Sequence, residues 1–236
     1  MASGGGVVTE GRVVVVVNGY TGVGAAVAKT LGGQGDRVVI AHPHVPEAAA
    51  DVVNEIVGAG GSALELAADF RDSDEFEELV QEVLATFGRW DVLVHTCAAT
   101  VVPKPFREVS ADDFERDFNT NALGAYYGLQ LALAHLADDG RIVAVSGGDS
   151  PLLPTLGRLV TSAAADFAER GITVNAVEPI SAQAEPSAEV LAAAADAGAS
   201  PEIAAVAAYL AGTGSAWTGQ RVVVDDSAGK STTAIE

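Results

Sequence analysis

The sequence has little of several residue types, and each shortage excludes a class of protein. Cys97 is the only cysteine among 236 residues, so neither an intrachain disulfide nor a multi-cysteine zinc site can form. Thirteen basic residues stand against 32 acidic ones, and a net charge of −19 repels nucleic acid and anionic lipid. The apolar run at 13–17, like every other in the chain, is far too short to cross a bilayer, and residues 1–11 lack the order of a signal peptide. We therefore expect a cytoplasmic protein without nucleic-acid, membrane or metal partners.

The residues that are abundant predict an α/β fold. Hydrophobic residues make up 49% of the chain, and short β-branched runs alternate with amphipathic stretches of helical length. This alternation is typical of a parallel sheet with helices on both faces. The predicted strands are 12–17, 37–41, 63–66, 92–95, 141–145, 173–177 and 220–224. The predicted helices are 23–32, 46–59, 74–87, 111–138 and 156–170, with a short helix before the last strand.

This order of elements predicts a Rossmann-like, doubly wound parallel sheet of seven strands with helices on both faces. We expect one domain over 1–236, with loose tails at 1–10 and 228–236. The alanine-rich segment 181–200 is predicted to be a loop that closes over a substrate.

A glycine-rich turn directly follows the first predicted strand. Residues 18–24 read Asn-Gly-Tyr-Thr-Gly-Val-Gly and lead into an alanine-rich helix. Glycines allow the backbone to approach a pyrophosphate closely, and the N–H groups at a helix start attract the anion. A tight turn without a ligand is the alternative. The predicted contacts with a dinucleotide are Gly19, Tyr20, Thr21, Gly22 and Val23.

The end of the second predicted strand bears on the choice of dinucleotide. Enzymes selective for NAD usually carry a carboxylate there, which binds the 2′-hydroxyl of the ribose. This strand instead leads into His42, Pro43 and His44. A histidine can charge against a 2′-phosphate, so NADP(H) is the expected cofactor and NAD(H) the alternative. We predict that His42 or His44 makes this contact, unless both only line a solvated loop.

From 11 to 229 the chain resembles the short-chain dehydrogenase/reductases. The segments that carry the resemblance are 69–72, 88–94, 121–124, 140–146, 170–179, 218–220 and 224–225. The resemblance implies that Asp69, with Phe70, contacts the adenine and that Asn121 is catalytic. It also implies cofactor contacts at Thr96, Ala98 and Pro179.

Three features depart from the family pattern. The family has three residues between its first two glycines, whereas two separate Gly19 from Gly22. Its Asn-Asn-Ala-Gly after the fourth strand appears here as 95–98, His-Thr-Cys-Ala. Its members also reduce carbonyls with a tyrosine acid and a lysine four residues later, and none of the four tyrosines here is followed by such a lysine. The tyrosine position falls near Asp149 and the lysine position near Leu153.

A reductase without this pair still needs a group to stabilise the alkoxide. A general acid typically contributes about 10²- to 10⁴-fold, and orientation of the reactants can contribute more. We predict that Ser146, one residue before the family's usual serine, and Asn121 are the catalytic residues. Asp149 and His95 are further candidates for the acid. A phenol next to the ketone of the substrate could also supply the hydrogen bond.

In lacking this tyrosine and lysine, the chain resembles atypical family members that act in antibiotic biosynthesis. This likeness implies an NAD(P)H-dependent ketoreductase that acts on an angucyclinone-type polycyclic aromatic polyketide. One alternative is a non-catalytic NADP-binding sensor or partner subunit. Another is a lyase, epimerase or cyclase that reuses the pocket. The family resemblance also implies a homo-oligomer, paired through the helices at 111–138 and 156–170.

Overall fold

A computed structural model describes residues 11–97, 106–146, 153–179, 201–225 and 232–235. The strands are β1 Val13–Val17, β2 Arg37–His42, β3 Ser62–Ala67, β4 Val92–Thr96, β5 Arg141–Val145, β6 Thr173–Pro179, β7 Arg221–Asp225 and β8 Thr232–Ile235. The α-helices are α1 Gly22–Gly33, α2 Pro46–Gly58, α3 Ser73–Phe87, α4 Ala111–Asp117, α5 Gly124–His135, α6 Leu153–Ser162, α7 Ala164–Phe167 and α8 Pro201–Ala211. Short 3₁₀ turns lie at Phe106–Glu108 and Ala168–Arg170, and a π-helix lies at Phe118–Leu123.

One sheet contains all the strands, in the order β3-β2-β1-β4-β5-β6-β7-β8. The seven predicted strands are parallel, which confirms the predicted Rossmann-like fold. The order reverses between β1 and β4, and ligands of such sheets bind at the carboxyl edge near this point. The site is therefore sought at the carboxyl ends of β1, β4, β5 and β6.

The sheet has an apolar core on each face, because successive strand residues point to opposite sides. Val13, Val15 and Val17 of β1 pack with residues of α3, α5 and α7. Val14 and Val16 pack on the other face with residues of α1, α2 and α8. This pattern assigns each site residue on a strand to one face.

The prediction of a loose tail at 228–236 is wrong for residues 232–235. They form β8, which pairs antiparallel with β7 so that Val222 lies opposite Ile235. Without β8, the outer edge of β7 would expose unpaired N–H and C=O groups. The sheet therefore has eight strands rather than seven. The predicted tail at 1–10 and the predicted loop at 181–200 lie outside the described residues.

The two long predicted helices are each interrupted. The stretch 111–138 contains α4, the π-helix and α5, which ends at His135. The stretch 156–170 contains the end of α6, then α7 and a 3₁₀ turn. At the end of α6, the hydroxyls of Thr161 and Ser162 donate to the carbonyls of Gly157 and Leu159, and such bonds compete with the regular helical pattern.

Candidate active site

The turn after β1 is held by two left-handed residues. Asn18 has a φ of 55° and Gly22 a φ of 53°. The side-chain amide of Asn18 donates to the carbonyl of Thr96 over 2.8 Å, which joins the turn to the end of β4. Asparagine tolerates the left-handed region better than other non-glycine residues. Because three residues separate Asn18 from Gly22, Asn18 stands at the family's first glycine position, which accounts for the unusual spacing of Gly19 and Gly22.

Gly24 allows the first helix to start very close to this turn. A Cβ atom at Gly24 would lie 2.5 Å from the carbonyl oxygen of Asn18 and 2.8 Å from Oγ1 of Thr96. Thr96 is buried, and its hydroxyl donates to the carbonyl of Val17 over 2.6 Å. Thr96 was predicted to contact the cofactor, but its side chain supports the turn from inside.

The amino end of α1 fits an anionic group. No side-chain hydrogen bond caps the helix at Thr21, and no acidic residue occupies its first turn. The helix dipole and the first N–H groups therefore favour a phosphate here. The tight backbone at Gly24 also leaves no side chain in the way. These residues fit the pyrophosphate of a dinucleotide, which the N–H groups of Gly22 and Val23 would hold. Tyr20 and Val23 pack against the adjacent apolar core.

Asp69 presents a charged carboxylate beyond the end of β3. The Arg71 guanidinium donates to both Asp69 oxygens, over 2.9 and 2.6 Å, and this hydrogen bonding lowers the pKa of Asp69. Phe70 next to it is buried, with its ring 5.2 Å from that of Phe76. Asp69 is thus placed as an acceptor, whereas Phe70 could reach a cofactor only through its backbone.

His42 has no free ring nitrogen for a 2′-phosphate, which contradicts the prediction of this contact. Its Nδ1 accepts the N–H of Val45 over 2.9 Å, and its Nε2 therefore carries the proton and donates to the Glu65 carboxylate. The ring is almost completely buried. The sequence did not show that the chain turns back at Val45. His44, by contrast, is exposed, and its Nε2 lies 3.2 Å from a carboxylate oxygen of Glu75.

Three polar side chains form a row across neighbouring strands, which we call the carboxyl-edge row: Cys97, Ser146 and Glu178. Thr96 pairs with Val145 and Val145 with Val177, so the next residue of each strand lies in one line. The N–H of Cys97 donates to Val145, and that of Ser146 to Val177. All three residues point to the face covered by α5 and α6. Ser146 is buried, and its hydroxyl donates to the carbonyl of Val177 over a long 3.2 Å.

Asn121 lies in the π-helix, a feature that often marks functional sites. Its side-chain amide donates to the Asp117 carboxylate over 2.7 Å, and both residues are buried. Gly124, directly after the π-helix, packs against Phe70. A Cβ atom placed on Gly124 would lie 3.5 Å from Cε1 of the His95 ring. The π-helix thus lies directly over the end of β4, beside the carboxyl-edge row.

Neither His95 nor Cys97 can act as a proton donor to this site at neutral pH. Burial lowers the pKa of His95 to about 4, although the Asn121 backbone opposes the shift, so the ring is neutral at pH 7. Burial and the charges of Asp117 and Glu178 raise the pKa of the Cys97 thiol. Neither group readily releases a proton near neutrality. Asp149 and Ala98 lie outside the described residues, and only the backbone of Pro179 is described, at the end of β6.

The buried His95 predicts a loss of stability in acid. Its folded pKa of about 4 lies below the ordinary value of 6.5, so the unfolded chain binds the proton first as the pH falls. We expect the free energy of unfolding to fall by up to about 3 kcal/mol between pH 6.5 and pH 4 from this group. His95→Asn, which restores the family residue, should lose this part of the pH dependence in urea titrations. The exposed His44→Gln is the control, and an equal flattening by both variants would contradict the prediction.

The sequence missed three residues of the site: Asn18, Cys97 and Glu178. Glu178 could have been found from the sequence, because it is a charged residue at a core-facing position of a buried strand.

Among the described residues, no group of three or more His, Cys, Asp or Glu side chains could hold a metal ion. No helix in the described ranges is long and apolar enough to cross a membrane.

The sequence and the fold match known proteins. The family model described as short chain dehydrogenase matches residues 12–151. The chain is 32% identical to versicolorin reductase from Emericella nidulans over 72% of this chain and 69% of that protein. It is 33% identical to a hydroxynaphthalene reductase-like protein from Metarhizium brunneum over 72% and 67%.

A crystal structure shares the fold over nearly the whole chain. It is that of a short chain dehydrogenase from Burkholderia cenocepacia in complex with NADP, with a TM-score of 0.77, 26% identity, and coverage of 94% of this chain and 99% of that one. The strand order, the glycine turn where that order reverses between β1 and β4, and the family match lead to one conclusion. The chain belongs to the short-chain dehydrogenase family.

Proposed function

We propose that the protein is an NADP(H)-dependent reductase of a carbonyl group on a polycyclic aromatic polyketide. The observation that carries the proposal is the pyrophosphate cradle, by which we mean the turn at 18–24 with the open amino end of α1. It lies where the strand order reverses between β1 and β4, and Gly24 brings α1 against Asn18 and Thr96 there. A bound nicotinamide cofactor supplies the hydride. The chain's own residues bind the pyrophosphate at α1 and present Ser146 at the adjacent strand end.

The relatives support the class of substrate and the coenzyme. Two of them are named as a versicolorin reductase and a hydroxynaphthalene reductase-like protein, and the second name denotes a fused aromatic ring that carries a hydroxyl. A structural neighbour at 26% identity holds NADP. An angucyclinone-type ketone is the specific substrate that we propose.

Ser146 and Asn121 are the residues that we propose for catalysis. The Ser146 hydroxyl makes only a 3.2 Å bond with Val177, so it can turn to donate to the oxygen of a bound carbonyl. Asn121 is fixed by Asp117 and can hold the π-helix in place over the site. Because His95 is unprotonated and the Cys97 thiol holds its proton tightly at neutral pH, we propose that a phenol of the substrate, next to its ketone, helps Ser146 to stabilise the alkoxide.

The lack of a proton donor at His95 and Cys97 also favours a second candidate, a protein that binds NADP(H) without turnover. Incubation with NADPH and a panel of polycyclic hydroxyaryl ketones separates the two candidates. Loss of absorbance at 340 nm with formation of the alcohol supports the reductase. Tight binding of NADPH with no alcohol from any ketone would support the binding protein instead.

The position of His44 predicts a preference for the phosphorylated coenzyme. His44 is exposed beyond β2, where a ring N–H can donate to a 2′-phosphate. We expect His44→Ala to raise the KM for NADPH roughly threefold to tenfold, and to leave the KM for NADH unchanged. Asp69 and Glu75 nearby are acidic, which limits the gain from this contact. Equal effects on the two coenzymes would refute a contact with the 2′-phosphate.

A further inference from the structure

Glu178 of the carboxyl-edge row is a buried carboxylate that the proposed chemistry does not use. Its side chain is only 7% exposed. Its Oε2 accepts from the Arg221 guanidinium on β7 over 3.0 Å. Its Oε1 has no hydrogen-bond partner among the described residues. A buried carboxylate oxygen without a donor is costly, so its position calls for a structural reason.

The unpartnered oxygen lies against Gly157 of α6. The Cβ atom of any other residue at position 157 would overlap this Glu178 oxygen. The same point lies 3.5 Å from the Cβ of Ala176 on β6. The helix therefore rests on β6 through a glycine. Because Arg221 holds the other carboxylate oxygen, Glu178 cannot easily swing away from the helix.

This contact lies close to the part of the site where the family has its tyrosine and lysine. Helix α6 begins at Leu153, about one turn before Gly157, and Leu153 falls near the lysine position. Glu178 stands next to Ser146 in the carboxyl-edge row. Its charge also acts on Cys97 at the other end of the row. The height of α6 above β6 therefore sets the space above Ser146.

We propose that Glu178 is a positioning residue: clamped between Arg221 and Gly157, it fixes the distance of α6 from the carboxyl-edge row and thereby the fit of the ketone. The inference rests on the proposed function, because it assigns the space above Ser146 to the carbonyl substrate. The pyrophosphate cradle at α1 lies on other strands, so binding of the coenzyme should depend on Glu178 far less than binding of the ketone does.

A cycle of variants tests this proposal. Gly157→Ala adds the Cβ that overlaps the carboxylate, and Gly157→Ala/Glu178→Ser removes the carboxylate again. Gly33→Ala is the matched control, because nothing lies within 4 Å of a Cβ at that helical glycine. Calorimetry would measure the Kd of 8-hydroxy-1-tetralone in the presence of saturating NADP⁺ and the Kd of NADPH alone. Thermal unfolding would show that each variant is folded, and Glu178→Gln replaces Gly157→Ala if that variant does not fold.

We expect Gly157→Ala to weaken binding of the tetralone at least tenfold, with the Kd of NADPH changed less than twofold. The double variant should recover most of this loss, because the alanine Cβ then fills the place between α6 and β6 that the carboxylate oxygen held. Gly33→Ala should match the parent protein. Glu178→Gln keeps the shape but loses the charge held by Arg221, so an intermediate loss is expected. A double variant no better than Gly157→Ala, or an equal loss of NADPH binding, would overturn the proposal. Absence of turnover with an intact binding cycle would instead refute the proposed function alone.

Discussion

Gly24→Ala is expected to abolish useful binding of the dinucleotide. The new Cβ would lie 2.5 Å from the carbonyl oxygen of Asn18 and 2.8 Å from Oγ1 of Thr96. Neither atom can move freely, because the first belongs to the backbone and the second donates to the carbonyl of Val17. Helix α1 must therefore shift away from β4, and its open amino end moves with it. Overpacking of this kind costs roughly 1–3 kcal/mol of stability.

The loss should be larger for the coenzyme than for the fold. A shift of about 1 Å in a positioning element can cost on the order of 10²-fold in function. We expect the Kd of NADPH, measured by quenching of protein fluorescence, to rise about 100-fold, while Gly33→Ala leaves it unchanged. Gly24→Ala with parental affinity for NADPH would show that the coenzyme does not lie against this turn.

Methylation of the phenol of the substrate is expected to slow reduction strongly. His95 is neutral at pH 7, with a pKa of about 4, and the Cys97 thiol has a raised pKa. Because neither group can give up a proton at this pH, we expect the substrate phenol to stabilise the alkoxide together with the Ser146 hydroxyl. A general acid is worth about 10²- to 10⁴-fold, so 8-methoxy-1-tetralone should be reduced at least 100-fold more slowly than 8-hydroxy-1-tetralone.

A comparison of binding separates loss of chemistry from loss of fit. The Kd of the methoxy compound in the presence of NADP⁺ should stay within a few-fold of that of the hydroxy compound. The effect then lies in kcat rather than in KM. Equal values of kcat for the two ketones would rule out assistance by the substrate and point to an acid supplied by the protein.

Most of the parallel sheet was predictable because its inner strands are short β-branched runs buried on both faces, whereas the edge strand β3 has no β-branched residue and is only partly buried. All seven predicted strands were found, with changes of one or two residues at their ends. The eighth strand was missed, because 232–235 are four residues whose pairing depends on the free edge of β7. The break in 111–138 was missed because a π-helix changes the hydrogen-bond pattern without a proline or other local signal.

The site was predictable where it depends on backbone turns and not where it depends on side-chain partners. The glycine turn was located from its position after β1, and Ser146 lies directly after β5 as expected, whereas Asn121 lies in the π-helix. The role of His42 could not be foreseen, since it depends on Glu65 from the neighbouring strand. The pairing of Glu178 with Arg221 across two strands is likewise a tertiary contact that no local pattern shows.

The most direct test of the central claim follows the hydride itself. NADPH deuterated at C4 of the nicotinamide would be incubated with the protein and 8-hydroxy-1-tetralone, and the product would be examined by mass spectrometry and ¹H NMR. The account predicts one deuterium at the carbinol carbon, from one of the two C4 positions only. Alcohol without deuterium from either labelled form, or NADPH bound but never consumed, would contradict it.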